Sequence, residues 1–204
     1  MLLRMKLVDI GVARMMRQVL LGTAFVAVLL TCGFEASAQN AESSDSSEYL
    51  IKAGFIYNFA KLVEWPGSAF PQPGNPIVIG VLGNDSFADV LDHVVDGKKI
   101  DSHSFSVKRL KWKEVKECNC HILFIAAQES AHSDEIIQFV KTTSVLTIAE
   151  TPGFAKRGGI INFTLQDNKV RFDANVDAAK QAGLIISSRL LSLARIVQTN
   201  TTSR

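Results

Sequence analysis

The stretch from Thr151 to Val197 constrains the fold of this chain more than any other, because two strands, their turn and the following helix can all be read from residue spacing. Apolar and polar residues alternate through 160–165 and again through 170–175, the period of a strand with one buried face. Gln166, Asp167, Asn168 and Lys169 separate the two runs, so they pair as a hairpin. That register sets Ile161, Phe163 and Leu165 opposite Ala174, Phe172 and Val170 on the core face. On the other face Asn162 lies opposite Asp173, and Thr164 opposite Arg171. Asn175 is expected to cap a short helix that Gly183 ends, and Ser187 or Ser188 to open a last helix with Leu190, Leu191, Ala194 and Val197 on one side. Core packing accounts for the apolar residues of this block.

Upstream, the pattern alternates strand and helix. Asp45 with Glu48 three residues on reads as a capping pair for a first helix, in which Phe55, Ile56, Phe59, Leu62 and Val63 share a face before Trp65-Pro66 stops it. Ile77 to Leu82 is a continuous apolar run, as in a strand buried on both faces. Phe87, Val90, Leu91, Val94 and Val95 follow at helical spacing, closed by Asp96-Gly97. Further strands read at 105–110, 121–126 and 144–148, with a helix led by Ser133 between the last two. Strand, helix and strand in succession imply an α/β fold: a mainly parallel sheet with helices on both faces, to which the C-terminal antiparallel hairpin adds an edge.

The N-terminal residues point to export. Arg4, Lys6, Arg14 and Arg17 precede an apolar run from Val19 to Leu30, and Ala36-Ser37-Ala38 supplies small residues for cleavage between Ala38 and Gln39. Residues 1–38 therefore read as a signal peptide, and the apolar run is too short to span a membrane comfortably. Lipidation at Cys32 is the competing reading, with Thr31 a poor match before it. Residues 39–47 read as a flexible lead-in, 48–197 as a single domain and 198–204 as a polar tail that frays. The whole chain carries 22 Lys and Arg against 20 Asp and Glu; the leader holds four basic and two acidic residues, leaving 18 of each. A neutral mature chain argues against a nucleic-acid partner, and nothing in it calls for membrane insertion.

Lys52 to Pro66 (KAGFIYNFAKLVEWP), Ile79 to Gly83, Cys120 to Ile125 (CHILFI) and the whole block from Pro152 to Val197 resemble the YfiR family, over nearly all of the mature chain. The resemblance implies a periplasmic, non-enzymatic regulator that binds the sensor portion of an inner-membrane diguanylate cyclase and represses it, within cyclic-di-GMP signalling. A small-ligand sensor acting with a membrane sensor kinase is the alternative, and a homodimer is left open. The resemblance also implies disulfide staples, of which only Cys120 matches a family position. Residues two apart on a strand are ~6.5 to 7 Å apart, so a relaxed Cys118–Cys120 bridge needs a turn there; two free thiols are the equal alternative.

Motifs for catalysis are absent: there is no Gly-x-Ser-x-Gly, no zinc-ligand pair at helical spacing, no phosphate loop and no cofactor signature. Gly80 to Asp85 sits between strand and helix, where open parallel sheets bind ligands, but reads more simply as a tight turn with Asp85 or Ser86 as cap. A ligand pocket, if present, is expected at the strand ends near Gly83-Asn84, Ala126-Ala127 and Glu150-Thr151. His93, His103, His121 and His132 are dispersed, and Asp173 and Glu64 cannot be paired from sequence. Four residues are candidates for partner or ligand binding. Trp65 caps the core or anchors a partner. Arg157, beside Gly158-Gly159, forms with Asn162 and Arg171 either an ordinary polar network or a recognition patch with forked donors.

Overall fold

The computed structural model describes residues 36–200, with side chains from residue 46 onward. The expected leader lies outside the described residues up to residue 35, as does Cys32; Ala38 and Gln39 fall in helical backbone. The chain divides into two units, Met1–Ser46 and Ser47–Arg204. Of the first, only the helical backbone from residue 36 is described.

Helix α1 (Ala36–Leu62) starts well upstream of the expected Asp45–Glu48 boundary, so the segment read as a flexible lead-in is helical. No proline interrupts it and Gly54 is its only glycine. Glu48 does not cap; it pairs one turn ahead with the Lys52 ammonium. The helix ends at Leu62, three residues before Trp65, because Val63 and Glu64 form a short strand, β1 (Val63–Glu64). That strand pairs antiparallel with β9 (Ile185–Ile186), Val63 opposite Ile186.

The remaining elements follow as β2 (Ile77–Leu82), α2 (Asp85–Val95), β3 (Lys99–Ile100), β4 (His103–Leu110), β5 (Ile122–Ile125), α3 (Ser133–Val140), β6 (Leu146–Ala149), β7 (Ile161–Gln166), β8 (Lys169–Asn175), α4 (Val176–Gln181), α5 (Ser188–Leu191) and β10 (Arg195–Val197). Among the described residues eight strands form one sheet in the order β10-β8-β7-β6-β5-β2-β4-β3. The pairs from β4 through β7 are parallel, while β7–β8 and β3–β4 are antiparallel. This is the mainly parallel α/β sheet with a hairpin that the alternation of patterns predicts.

The twofold period of the strands sorts the core into two layers. On one face Ile79, Val81, Phe124, Ile148, Ile161, Phe163 and Phe172 meet Ala53, Ile56 and Phe59 of α1 and Phe87 and Leu91 of α2. On the other, Leu82, Leu123, Ile125 and Ala149 meet Ile136, Ile137 and Val140 of α3 together with Phe154. Both faces are covered, which explains the uninterrupted apolar runs of β2 and β5.

The hairpin register is the expected one, from Ile161 opposite Ala174 to Leu165 opposite Val170. The strands run one residue further on each side, Gln166 pairing with Lys169, and the loop shrinks to Asp167 and Asn168. Both have positive φ, 50° and 55°, the backbone of the two-residue turn that matches strand twist. Leu165, expected on the core face, is 56% exposed near the turn of the hairpin, although Val170 opposite it is buried. Asn175 caps α4 by accepting from the Ala178 N–H at 2.9 Å, and Ser187 caps α5. The cap of α2 is Asn84, neither Asp85 nor Ser86: its Oδ1 accepts from Phe87 N–H at 2.9 Å.

The C-terminal expectation is corrected. Instead of one helix to Val197, α5 stops at Leu191 and β10 pairs parallel with β8, Arg195 opposite Asp173. The hairpin is therefore not the sheet's edge. Nor does the tail fray at its start: Asn200 N–H donates to Lys156 O at 2.8 Å, and Asn175 Nδ2 donates to Thr199 Oγ1 at 2.9 Å.

Candidate functional site

The strand order reverses at β2, whose neighbours are β4 on one side and β5 on the other, so the crevice at Gly83 and Ala126 is the usual ligand position of such a sheet. Here the protein's own side chains fill it. Lys52 reaches from α1, 6% exposed, and places Nζ 2.5 Å from Glu150 Oε1, with Glu48 as a second carboxylate. Glu150 Oε2 also accepts from the Ala127 N–H at 3.1 Å. Tyr49 Oη accepts from Asn84 Nδ2 at 2.8 Å, Gln128 donates to Gly83 O, and the Glu129 side chain packs against Gly83. Burial disfavours the Lys52 ammonium, but hydrogen bonds to and attraction by Glu150 and Glu48 outweigh it, holding its pKa above the ordinary value. The crevice is thus a closed ion-paired plug between α1 and the strand ends.

The polar face of the hairpin is also largely enclosed. Asn162 is fully buried; its Nδ2 donates to Ala149 O and Phe163 O at 3.1 and 3.0 Å, while Oδ1 is buried without a partner. Asp173, opposite it, is 3% exposed and receives a forked bond from Arg195, Nε to Oδ1 and Nη2 to Oδ2 both at 2.7 Å. This pairing, and not one with Arg171, neutralises the carboxylate. Arg171 is exposed and no other described side chain bonds or pairs with it. Arg157 turns to α3, Nε to Asp134 Oδ1 at 2.8 Å, and braces the Pro152 carbonyl through Nη1 at 3.0 Å. Arg157, Asn162 and Arg171 therefore do not converge: two are exposed with different surroundings, and the third is inside.

The glycines beside Arg157 have the two uses their pairing suggests. Gly158 has φ 110°, and a Cβ on Gly159 would overlap the buried Phe154 ring.

Trp65 is half-buried against the main core, edge-to-face with Phe70 at 6.5 Å between centroids, and its Nε1 is enclosed without an acceptor. Cys118 and Cys120 are joined by a disulfide. Asn119 between them takes a left-handed turn, φ 49°, which brings their Cα atoms to 5.1 Å. The bridge packs on Gly80 of β2, where a Cβ would lie 2.6 Å from Cys120 Sγ. The neighbouring His121 is structural: Nδ1 accepts from Val78 N–H at 3.0 Å and Nε2–H donates to Ala69 O at 3.0 Å, a neutral tautomer.

Lys52 with Glu150, and Asp173 with Arg195, were not legible as pairs. The Glu48–Lys52 spacing is a local signal for half of the first, but Glu150 is 98 residues away. The second requires the strand β10. Among the described residues no helix is long and apolar enough to cross a membrane, and no three His, Cys, Asp or Glu side chains are placed to hold a metal ion.

No curated protein matches this chain. A conserved domain protein of Vibrio cholerae O1 biovar El Tor, known from its crystal structure, is similar in fold: TM-score 0.52 at 11% identity, over 72% of this chain and 60% of that one. At that identity the likeness concerns the fold alone. A family model described as YfiR/HmsC-like matches residues 49–195, from the α1 turn that carries Lys52 to the first residue of β10, so the chain belongs to the YfiR/HmsC-like family.

Proposed function

We propose that this chain is an exported regulator that binds the periplasmic sensor portion of an inner-membrane diguanylate cyclase and holds the enzyme inactive. The observation that carries the reading is family membership over 49–195, which takes in β1 to β9 complete and the C-terminal part of α1. A regulator of this kind needs a rigid body with exposed recognition groups. The ion-paired plug at the strand ends and the Arg195–Asp173 fork supply rigidity, and Arg171 and Arg157 supply forked donors at the surface. The basic leader followed by Ala36-Ser37-Ala38 supports export.

The test is capture from detergent-solubilised inner membranes with the tagged protein, followed by measurement of cyclic-di-GMP on deletion and overexpression. Capture of a diguanylate cyclase, with cyclic-di-GMP rising on deletion, is the expected result. Capture of a sensor kinase with unchanged cyclic-di-GMP would move the reading to the ligand-sensor alternative. The double charge reversal Arg157→Glu with Arg171→Glu tests the surface: a folded protein that retains partner affinity removes these two residues from the interface.

A further inference from the structure

Opposite the plugged crevice, at the N-terminal ends of the parallel strands, lies an open cleft of about 700 Å³. Its floor is the second face of the sheet, Val78 of β2 and Leu123 of β5. One wall is the segment from Ser68 to Pro76; the other is the turn Trp112–Glu117 with the Cys118–Cys120 bridge, and Phe139 of α3 closes the end. Phe139 is 40% exposed although α3 turns Ile136, Ile137 and Val140 inward, so this helix presents one large apolar ring to the cleft.

The electrostatics are one-sided. Lys108 and Lys116 line the cleft, and none of its lining residues is Asp or Glu. Lys108 Nζ bonds only a carbonyl, Cys118 O at 3.2 Å. Lys116 lies over the Phe139 ring, with Glu135 no nearer than 3.8 Å. His121, with both ring nitrogens engaged and its pKa lowered mainly by burial, adds no positive charge. Two lightly compensated ammonium groups at the rim of a half-apolar cleft favour a molecule with an apolar body and an anionic end. The volume suits a ligand of metabolite size.

From this arrangement we infer that the cleft is a binding site for a small amphipathic monoanion, an aryl- or alkyl-carboxylate. Its body lies along Val78, Leu123 and Phe139, and its carboxylate lies between Lys108 and Lys116. The site is at the end of the sheet opposite to the one where strand topology places ligands, and it does not depend on the diguanylate-cyclase reading.

The test is calorimetric titration of the purified protein with 4-phenylbutyrate and with its neutral isostere 4-phenylbutan-1-ol, with amide chemical shifts to locate either. The acid should bind more tightly, and shifts should centre on Val78, Leu123 and Asn119. Lys108→Met with Lys116→Met should weaken the acid by about three- to tenfold and leave the alcohol unchanged, the range expected for two exposed ion pairs. Phe139→Glu, at an exposed position, should weaken the acid further and the alcohol less. Failure of the acid to bind, equal affinity for acid and alcohol, an unaffected double lysine variant, or shifts centred on Gly83 and Ala127 would each overturn the assignment. None of these outcomes bears on membrane capture, so the two readings fail separately.

Discussion

Replacing Lys52 by Met keeps the length of the buried stem and removes its charge, leaving the Glu150 carboxylate, 14% exposed, facing Glu48 across the site. Removing one partner of a fully buried ion pair costs ~3–5 kcal/mol. Glu150 retains the Ala127 N–H and Glu48 is 24% exposed, so water and the remaining bond recover part of that, and a loss of about 2–3 kcal/mol is expected. Lys52→Met with Glu150→Met removes the orphaned carboxylate as well, and should be less destabilised than the sum of the singles by about 1–3 kcal/mol. Urea unfolding followed by circular dichroism measures each as a shift in midpoint at constant slope. The pH dependence has a definite sign. Because the folded-state pKa of Lys52 is raised, the contribution is fully present below the ordinary 10.5 and is lost as pH climbs through the folded value. A Lys52→Met protein within about 0.5 kcal/mol of the parent, or strict additivity in the double variant, would refute the plug.

Gly159→Ala puts a methyl into the Phe154 ring and should destabilise by about 3 kcal/mol or more, whereas Gly67→Ala, with open space around it, should be nearly neutral by the same unfolding assay. Trp65→Ala should lower stability by about 2 kcal/mol, below the range for a fully buried Trp because the ring is half-buried, and Trp65→Phe should cost less since it also removes the unpartnered Nε1–H. Retained stability in Trp65→Ala with lost regulation would make this residue a partner anchor instead. The pKa of His121 is lowered, chiefly by burial and further by His103, against the Ala69 hydrogen bond, so protonation disfavours the fold. Stability from this site is complete above 6.5 and falls as pH drops through the folded value, and His121→Asn should flatten that acid limb in unfolding midpoints measured from about pH 7 to about pH 5.

Local patterns carried most of the architecture. The alternation at 160–175 contains its own register, because a slip of one residue would turn Phe163 and Phe172 outward, and the register that buries both is the one formed. The caps at Asn175 and Ser187 and the left-handed Gly183 are likewise decided within a few residues of themselves. Asn84 was a near miss of one position, since Asn84, Asp85 and Ser86 are all capping residues and spacing alone does not rank them.

The candidate site was less legible, because its decisive contacts join residues far apart in the chain. Glu150 and Lys52 meet only when α1 lies across the strand ends, so a crevice that topology marks as open is closed by a pair 98 residues apart. Asn162 reads as a surface residue from alternation, yet it is fully buried, its amide donating to the carbonyls of Ala149 on the neighbouring strand and of Phe163. Val197 fits the helical stripe of Leu190, Leu191 and Ala194 as well as it fits a strand. The free edge of β8, with a buried Asp173 that needs Arg195, selects the strand. Sequence by itself determined the elements whose hydrogen bonds close within a few residues. Tertiary structure decided which edges, carboxylates and clefts remain open, since burial and desolvation belong to surfaces assembled from distant segments.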